Sequence, residues 1–192
     1  ATTPQPITTR VELVQGQSGG SLPRILVATG KLLGVGDLST TGQQTIYGFD
    51  DQVLSFGTGA SLVAGLKQSE LKNVTTTGGV LTRTLKCKGT TAECKDNAIG
   101  WYINLPDTGE RVNVDLRIAG ATLVVASNVP SNEPCVSGGT GWINYLNYQT
   151  GGPVNEGTDG EGPAGVPVTA GLIMGNDLSS TKDGNVTAHV SP

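Results

Sequence analysis

A chain of 192 residues carrying a net charge of -4 is long enough for one domain with a buried core. Charged residues are only 15% of it, and its twelve lysines and arginines are scattered, which argues against the concentrated basic surface that nucleic-acid phosphates require. No stretch nears the ~20 apolar residues of a helical membrane span, and the 29 glycines suit many tight turns between short strands.

Residues 1–9 are rich in Pro and Thr and carry no core pattern, so they read as a linker or the end of a preceding strand; residues 10–192 read as one unit. A short strand is expected over 10–15, with Val11 and Leu13 on one face. Buried strands follow at Arg-Ile-Leu-Val-Ala (24–28) and Thr-Ile-Tyr-Gly-Phe (45–49), the second closed by Asp50 and Asp51. Residues 53–71 give a mixed signal, because Gly57, Gly59 and Gly65 disfavour a helix, and they read as strand. Thr75-Thr76-Thr77-Gly78-Gly79 is a hairpin turn into 80–86. In 111–118, Val112, Val114, Leu116 and Ile118 alternate with Arg111, Asn113, Asp115 and Arg117, the period of a half-buried strand. After a turn at Gly120, the run Thr-Leu-Val-Val-Ala (122–126) is a strand covered on both faces, and 142–148 returns as an amphipathic strand. A loop over 151–165 then precedes strands at 166–169, 171–174 and 186–190, the last after an Asp183-Gly184 turn.

Leu26, Leu123 and Ile173 mark three similar apolar runs separated by 97 and 50 residues. Four-stranded propeller blades repeat at roughly 40–50 residues. The fold expected is therefore all-β, part of a β-propeller with two to four blades of antiparallel meander; the alternative is a β-sandwich, which requires no such period. An open arc of blades leaves sheet faces that call for a partner.

Three cysteines are present. Cys87 and Cys94 enclose six residues, a spacing that a disulfide closes across a short loop; two unpaired thiols are the other reading, and Cys135 is the odd one, able to pair with either. Such a bridge implies an oxidising compartment outside the cytoplasm. A single histidine, His189, and the absence of a C-x-x-C pair disfavour zinc. Asp37, Asp50 and Asp51 either gather around a cation or cap turns, with capping the expectation. Asp107, Glu110 and Arg111 belong to a turn, DTGE, whose charges are expected to point outward. No G-x-S-x-G, P-loop or H-E-x-x-H is present. Trp101 and Trp142 are expected as packing residues between blades.

The wording of particular segments is more specific. RILVATGKLLGVGDLSTTGQQTIYGFDD, then GWYINLPDTGERV, then NVPSNEPCVSGGTGWINYLNYQTGG resemble, in order and spacing, the C-terminal propeller of the PilY/PilC-type type IV pilus tip adhesins and biogenesis factors. The resemblance covers about residues 24–152. It implies a non-enzymatic module for pilus-tip adhesion and pilus biogenesis, placed outside the cell at the pilus tip. The partners it implies are minor pilins, the remaining blades of the same protein, and a host or abiotic surface. It also implies calcium in a loop rich in Asp and Asn, for which Asn155, Asp159 and Glu161 are the nearest candidates, with an ordinary solvated turn as the other reading. A quinoprotein-like dehydrogenase propeller is the competing class, but it often carries an adjacent cysteine pair that is missing here.

Overall fold

A computed structural model describes residues 4–15, 22–51, 65–89, 99–131, 138–180 and 186–191. These form β1 (Glu12–Val14), β2 (Arg24–Ala28), β3 (Thr45–Asp50), β4 (Lys67–Thr75), β5 (Leu81–Cys87), β6 (Gly100–Asn104), β7 (Arg117–Ala119), β8 (Thr122–Pro130), β9 (Gly139–Asn147), β10 (Glu161–Val168), β11 (Gly175–Ser180) and β12 (Val186–Ser191). The architecture is all-β and part of a β-propeller-like fold. Ten strands form one curled sheet in the order β1-β2-β3-β6-β4-β5-β10-β9-β8-β7, and β11 and β12 pair separately.

Two antiparallel meanders are visible in that order, β1-β2-β3-β6 and β7-β8-β9-β10. Leu26 and Leu123 lie on the second strand of each, so the long separation between them is one meander enlarged by an inserted β4–β5 hairpin. The hairpin also joins the meanders: β4 runs parallel to β6, and β5 pairs antiparallel with β10. Its turn is the expected one, closed by Thr76 N donating to Val80 O at 2.9 Å and Gly79 N donating to Thr76 O at 2.8 Å. Residues 52–64, part of the mixed segment, lie outside the described residues, as does the Asp183-Gly184 turn.

Strand β8 shows why a continuous apolar run marks a strand covered on both faces. Leu123 and Val125 enter a core with Leu26, Ile46, Trp101, Ile103 and Leu146, whereas Val124 and Ala126 enter a second core with Ile143 and Ile173. The β11–β12 hairpin closes that second core with Leu178, Ala188 and Val190.

Three expectations about strands need correction. Residues 112–116 keep the alternation, with Val112, Val114 and Leu116 buried, but pairing there is confined to a bridge between Arg111 and Asn128 and to Val112 N donating to Thr29 O at 3.1 Å. Only residues 117–119 form a strand. Residues 171–174 are not a strand, although Ile173 is fully buried. The carboxamide of Asn128 replaces a strand neighbour, accepting from Ile173 N at 2.7 Å and donating to Ile173 O at 2.8 Å. The strand expected at 166–169 begins instead at Glu161, with Pro163 beside a shift in register, the kind of irregularity that accommodates proline within a sheet.

Residues 4–9 lie against the first meander. Gln5 Nε2 donates to Thr45 Oγ1 at 2.8 Å, Tyr47 donates its hydroxyl to Gln5 Oε1 at 2.6 Å, and Gly30 N donates to Pro6 O at 2.7 Å.

Trp101 is fully buried, and its Nε1 donates to Tyr148 O at 2.9 Å. A Cβ at Gly48 would meet the six-membered ring of this indole, and one at Gly151 would meet its Cβ, Cγ and Cδ2, both inside van der Waals contact. Gly151 also has φ +67, in the left-handed region that disfavours a side chain. Gly151→Ala is therefore expected to cost about 2–5 kcal/mol, from backbone strain plus overpacking. Gly79, with φ +76 and nothing within 4 Å of an added Cβ, isolates the backbone contribution, and Gly79→Ala is expected to cost only about 1–2 kcal/mol. Denaturant melts of the two variants check the difference.

Candidate functional site

The turn at Asp107–Glu110 forms as the sequence suggests, with Glu110 N donating to Asp107 O at 3.1 Å, but the expectation that its charges face outward is wrong. Glu110 is 1% and Arg111 3% exposed. Each has polar partners that offset the usual penalty against burying a charge.

Glu110 meets Arg83, a fully buried residue of β5. The guanidinium grips it with two bonds, Nη1 to Oε1 at 2.7 Å and Nη2 to Oε2 at 2.8 Å, the fork geometry that makes arginine the preferred buried partner of a carboxylate. Arg83 also donates to Asp107 Oδ2 at 2.9 Å, Asn73 Oδ1 at 2.8 Å and Asn144 Oδ1 at 3.0 Å, and its Cζ lies 3.8 Å from the centre of the Trp142 ring. Trp142 Nε1 donates in turn to Asp107 Oδ2 at 2.9 Å. Ser127 donates its hydroxyl to Glu110 Oε1, and Asn144 Nδ2 donates to Ser127 Oγ at 3.1 Å. Trp142 is 3% exposed. The arrangement holds charges in place; a carboxylate clamped by arginine and closed to solvent has no lone pair or access left for acid or base work.

Arg111 is held differently. Its guanidinium donates to the carbonyls of Lys31 (3.1 Å), Asp37 (2.5 Å) and Thr40 (2.7 Å), and to Thr40 Oγ1 at 2.9 Å. It thereby ties the β2–β3 connection to the segment leaving the turn, and burial lowers its pKa. These groups and Pro4, Pro6 and Gln44 line a surface cavity of about 380 Å³.

The three aspartates considered for a cation do not gather. Asp37 lies in the β2–β3 connection, and Asp50 ends β3 at the opposite end of that strand pair. Asp37 caps a turn as expected: its Oδ2 accepts from Leu33 N at 2.8 Å and Gly34 N at 3.1 Å, and its Oδ1 is 3.0 Å from Lys31 Nζ. Asp50 instead accepts from Nε of the fully buried Arg24 at 2.7 Å; Arg24 Nη1 donates to Gln149 O. Asp51 N donates to Pro23 O at 2.9 Å.

Asp159 lies in a turn closed by Gly157 N donating to Glu161 O at 2.8 Å, with Asn155 in the loop before that turn and Glu161 at the start of β10. Asp159 Oδ1 accepts from Glu161 N at 3.2 Å, and Lys86 Nζ lies 3.8 Å from its Oδ2. Among the described residues, no three His, Cys, Asp or Glu side chains come together to hold a metal ion. His189 lies on β12, exposed, with Nε2 2.7 Å from Ser179 Oγ. Cys87 ends β5; Cys94 and Cys135 lie outside the described residues.

Sequence reasoning missed the buried roles of Arg24, Arg83 and Glu110. Arg83 sits between Thr82 and Thr84 in an alternating strand, and the face it shares with the buried Leu85 was the available signal.

Two outcomes test this picture. Arg83→Met leaves the Glu110 carboxylate buried without its partner and is expected to cost about 3–5 kcal/mol, whereas adding Glu110→Gln recovers part of that loss; a double-mutant cycle in denaturant reads the coupling. The amides of Leu33 and Gly34 and the Lys31 ammonium hold the Asp37 carboxyl below its usual pKa. A lowered folded-state pKa adds stability that is complete above the unfolded value of ~3.9 and is lost as pH falls through the folded value. Asp37→Asn is therefore expected to flatten the fall of stability below about pH 4, measured by melts between pH 5 and 3.

No family model and no curated protein matches the sequence. Among solved structures, the crystal structure of the Pseudomonas aeruginosa PilY1 C-terminal domain matches with a TM-score of 0.69 and 19% identity, over 97% of this chain and 43% of that one. The chain thus spans less than half of the matched domain, and across that span it has the fold of a PilY-type C-terminal region.

Proposed function

We infer that the chain is a non-enzymatic module of a type IV pilus, serving adhesion and pilus biogenesis at the pilus tip through protein and surface contacts. The observation that carries this reading is the fold shared with the PilY1 C-terminal domain over 97% of the chain. The segment wording agrees with it, and the charged cluster that most resembled acid-base machinery is closed by Arg83. Minor pilins and the remaining blades of the same protein are the partners proposed, and the outer cell surface the location. An extracellular setting also fits a Cys87–Cys94 bridge, supported by the engagement of Cys87 in a disulfide; peptide mapping under non-reducing conditions would expose a Cys87–Cys135 link instead.

Deleting the coding region of this chain from its parent gene in the source bacterium is expected to reduce surface pili and attachment at least several-fold, with restoration by the intact gene. Tagged parent protein is expected to co-purify with minor pilins. Normal piliation and attachment after deletion would overturn the reading.

A further inference from the structure

We propose that the cavity between the ten-stranded sheet and the β11–β12 hairpin binds a compact, mostly apolar small molecule carrying a hydrogen-bonding group. Its volume is about 350 Å³, within the ~300–1,000 Å³ usual for small-molecule sites. Val124, Tyr145 and Ala164 wall it on the sheet side, Leu178 and Ala188 on the hairpin side, and Val154 on the loop before β10.

The Tyr145 hydroxyl gives this apolar space a direction. Tyr145 lines it, and among the described residues its hydroxyl has no hydrogen-bond partner; burial raises its pKa, so it stays a neutral group able to donate or accept. Outside the cavity lining, Asn176 lies two residues before the lining Leu178 on β11, on the same face by strand alternation. It is 5% exposed, and neither its amide oxygen nor its nitrogen has a partner. A buried amide left unpaired is costly, and it marks the seam between hairpin and sheet as incompletely filled by protein groups.

The walls also decide between occupants. β5, β8, β9 and β10 each have neighbours on both edges, and β7, which ends the sheet beside the cavity, is only three residues long, so the sheet side offers little free edge to which a partner strand can add. Walls on the sheet, hairpin and loop sides suit a compact molecule better than an extended peptide.

N-phenyl-1-naphthylamine, an apolar fluorophore with one N–H, is the probe. Titrated into the whole chain, it is expected to brighten and saturate at one equivalent. Ala188→Phe fills the cavity from the hairpin and is expected to weaken binding at least tenfold; Ala119→Phe fills it from β7 with the same result, so a folding failure in either variant leaves the other readable. Tyr145→Phe is expected to weaken binding roughly threefold to tenfold. Absence of saturable binding, or binding undiminished in folded Ala188→Phe and Ala119→Phe, would overturn the proposal.

Discussion

The clamp of Arg83 on Glu110 is the contact on which the arrangement of the sheet depends. Its donors and acceptors come from the β4–β5 hairpin, the Asp107–Glu110 turn, β8 and β9, so a single guanidinium sets where the inserted hairpin meets the second meander. Moving two charges out of water costs several kcal/mol for each ion, and their attraction returns that cost only when the geometry is good and the remaining polar atoms are satisfied. Here both oxygens of Glu110 are engaged, and the Trp142 ring covers the face of the cation. An apolar pair of similar volume would pack without that cost, but it would not distinguish this alignment of strands from one displaced by two residues.

The same device recurs with different partners. Three of the five arginines are buried: Arg83 against carboxylates, Arg24 against Asp50 at the end of β3, and Arg111 chiefly against backbone carbonyls. In a chain with only 15% charged residues, cations are thus placed inside where connections must be pinned. The contrast with Trp101 is instructive, since that residue is fixed by shape, with glycines on β3 and after β9 leaving room for its indole.

Much of the strand framework was legible because a strand's side chains alternate whatever its hydrogen bonds do. The runs at 24–28, 45–49 and 122–126 became β2, β3 and β8, and the turn after Thr75 formed as expected. Alternation reports burial and says nothing of pairing, which is why residues 112–116 keep the pattern without a ladder. Ile173 was equally opaque: its neighbour is the side chain of Asn128, 45 residues away. The charged clusters were misread for a related reason. Asp107, Glu110 and Arg111 carry the composition of an exposed turn, and only the distant Arg83 and the carbonyls of 31–40 explain the burial of Glu110 and Arg111.

The insertion of β4–β5 between β3 and β6 also sets the order in which the chain can assemble. The β4–β5 hairpin, the β7-β8-β9-β10 meander and the β11–β12 pair join segments close in sequence, so their loops close at little entropic cost. By contrast, β6 must return to β3 across about fifty residues, and β5 must wait for β10, which emerges from the ribosome later still. Contacts of such separation slow folding. Until they close, β5 and β10 each present an unpaired edge, the kind of surface on which nascent chains aggregate. A protein with this topology therefore passes through an interval of vulnerability that ends when the seam around Arg83 closes.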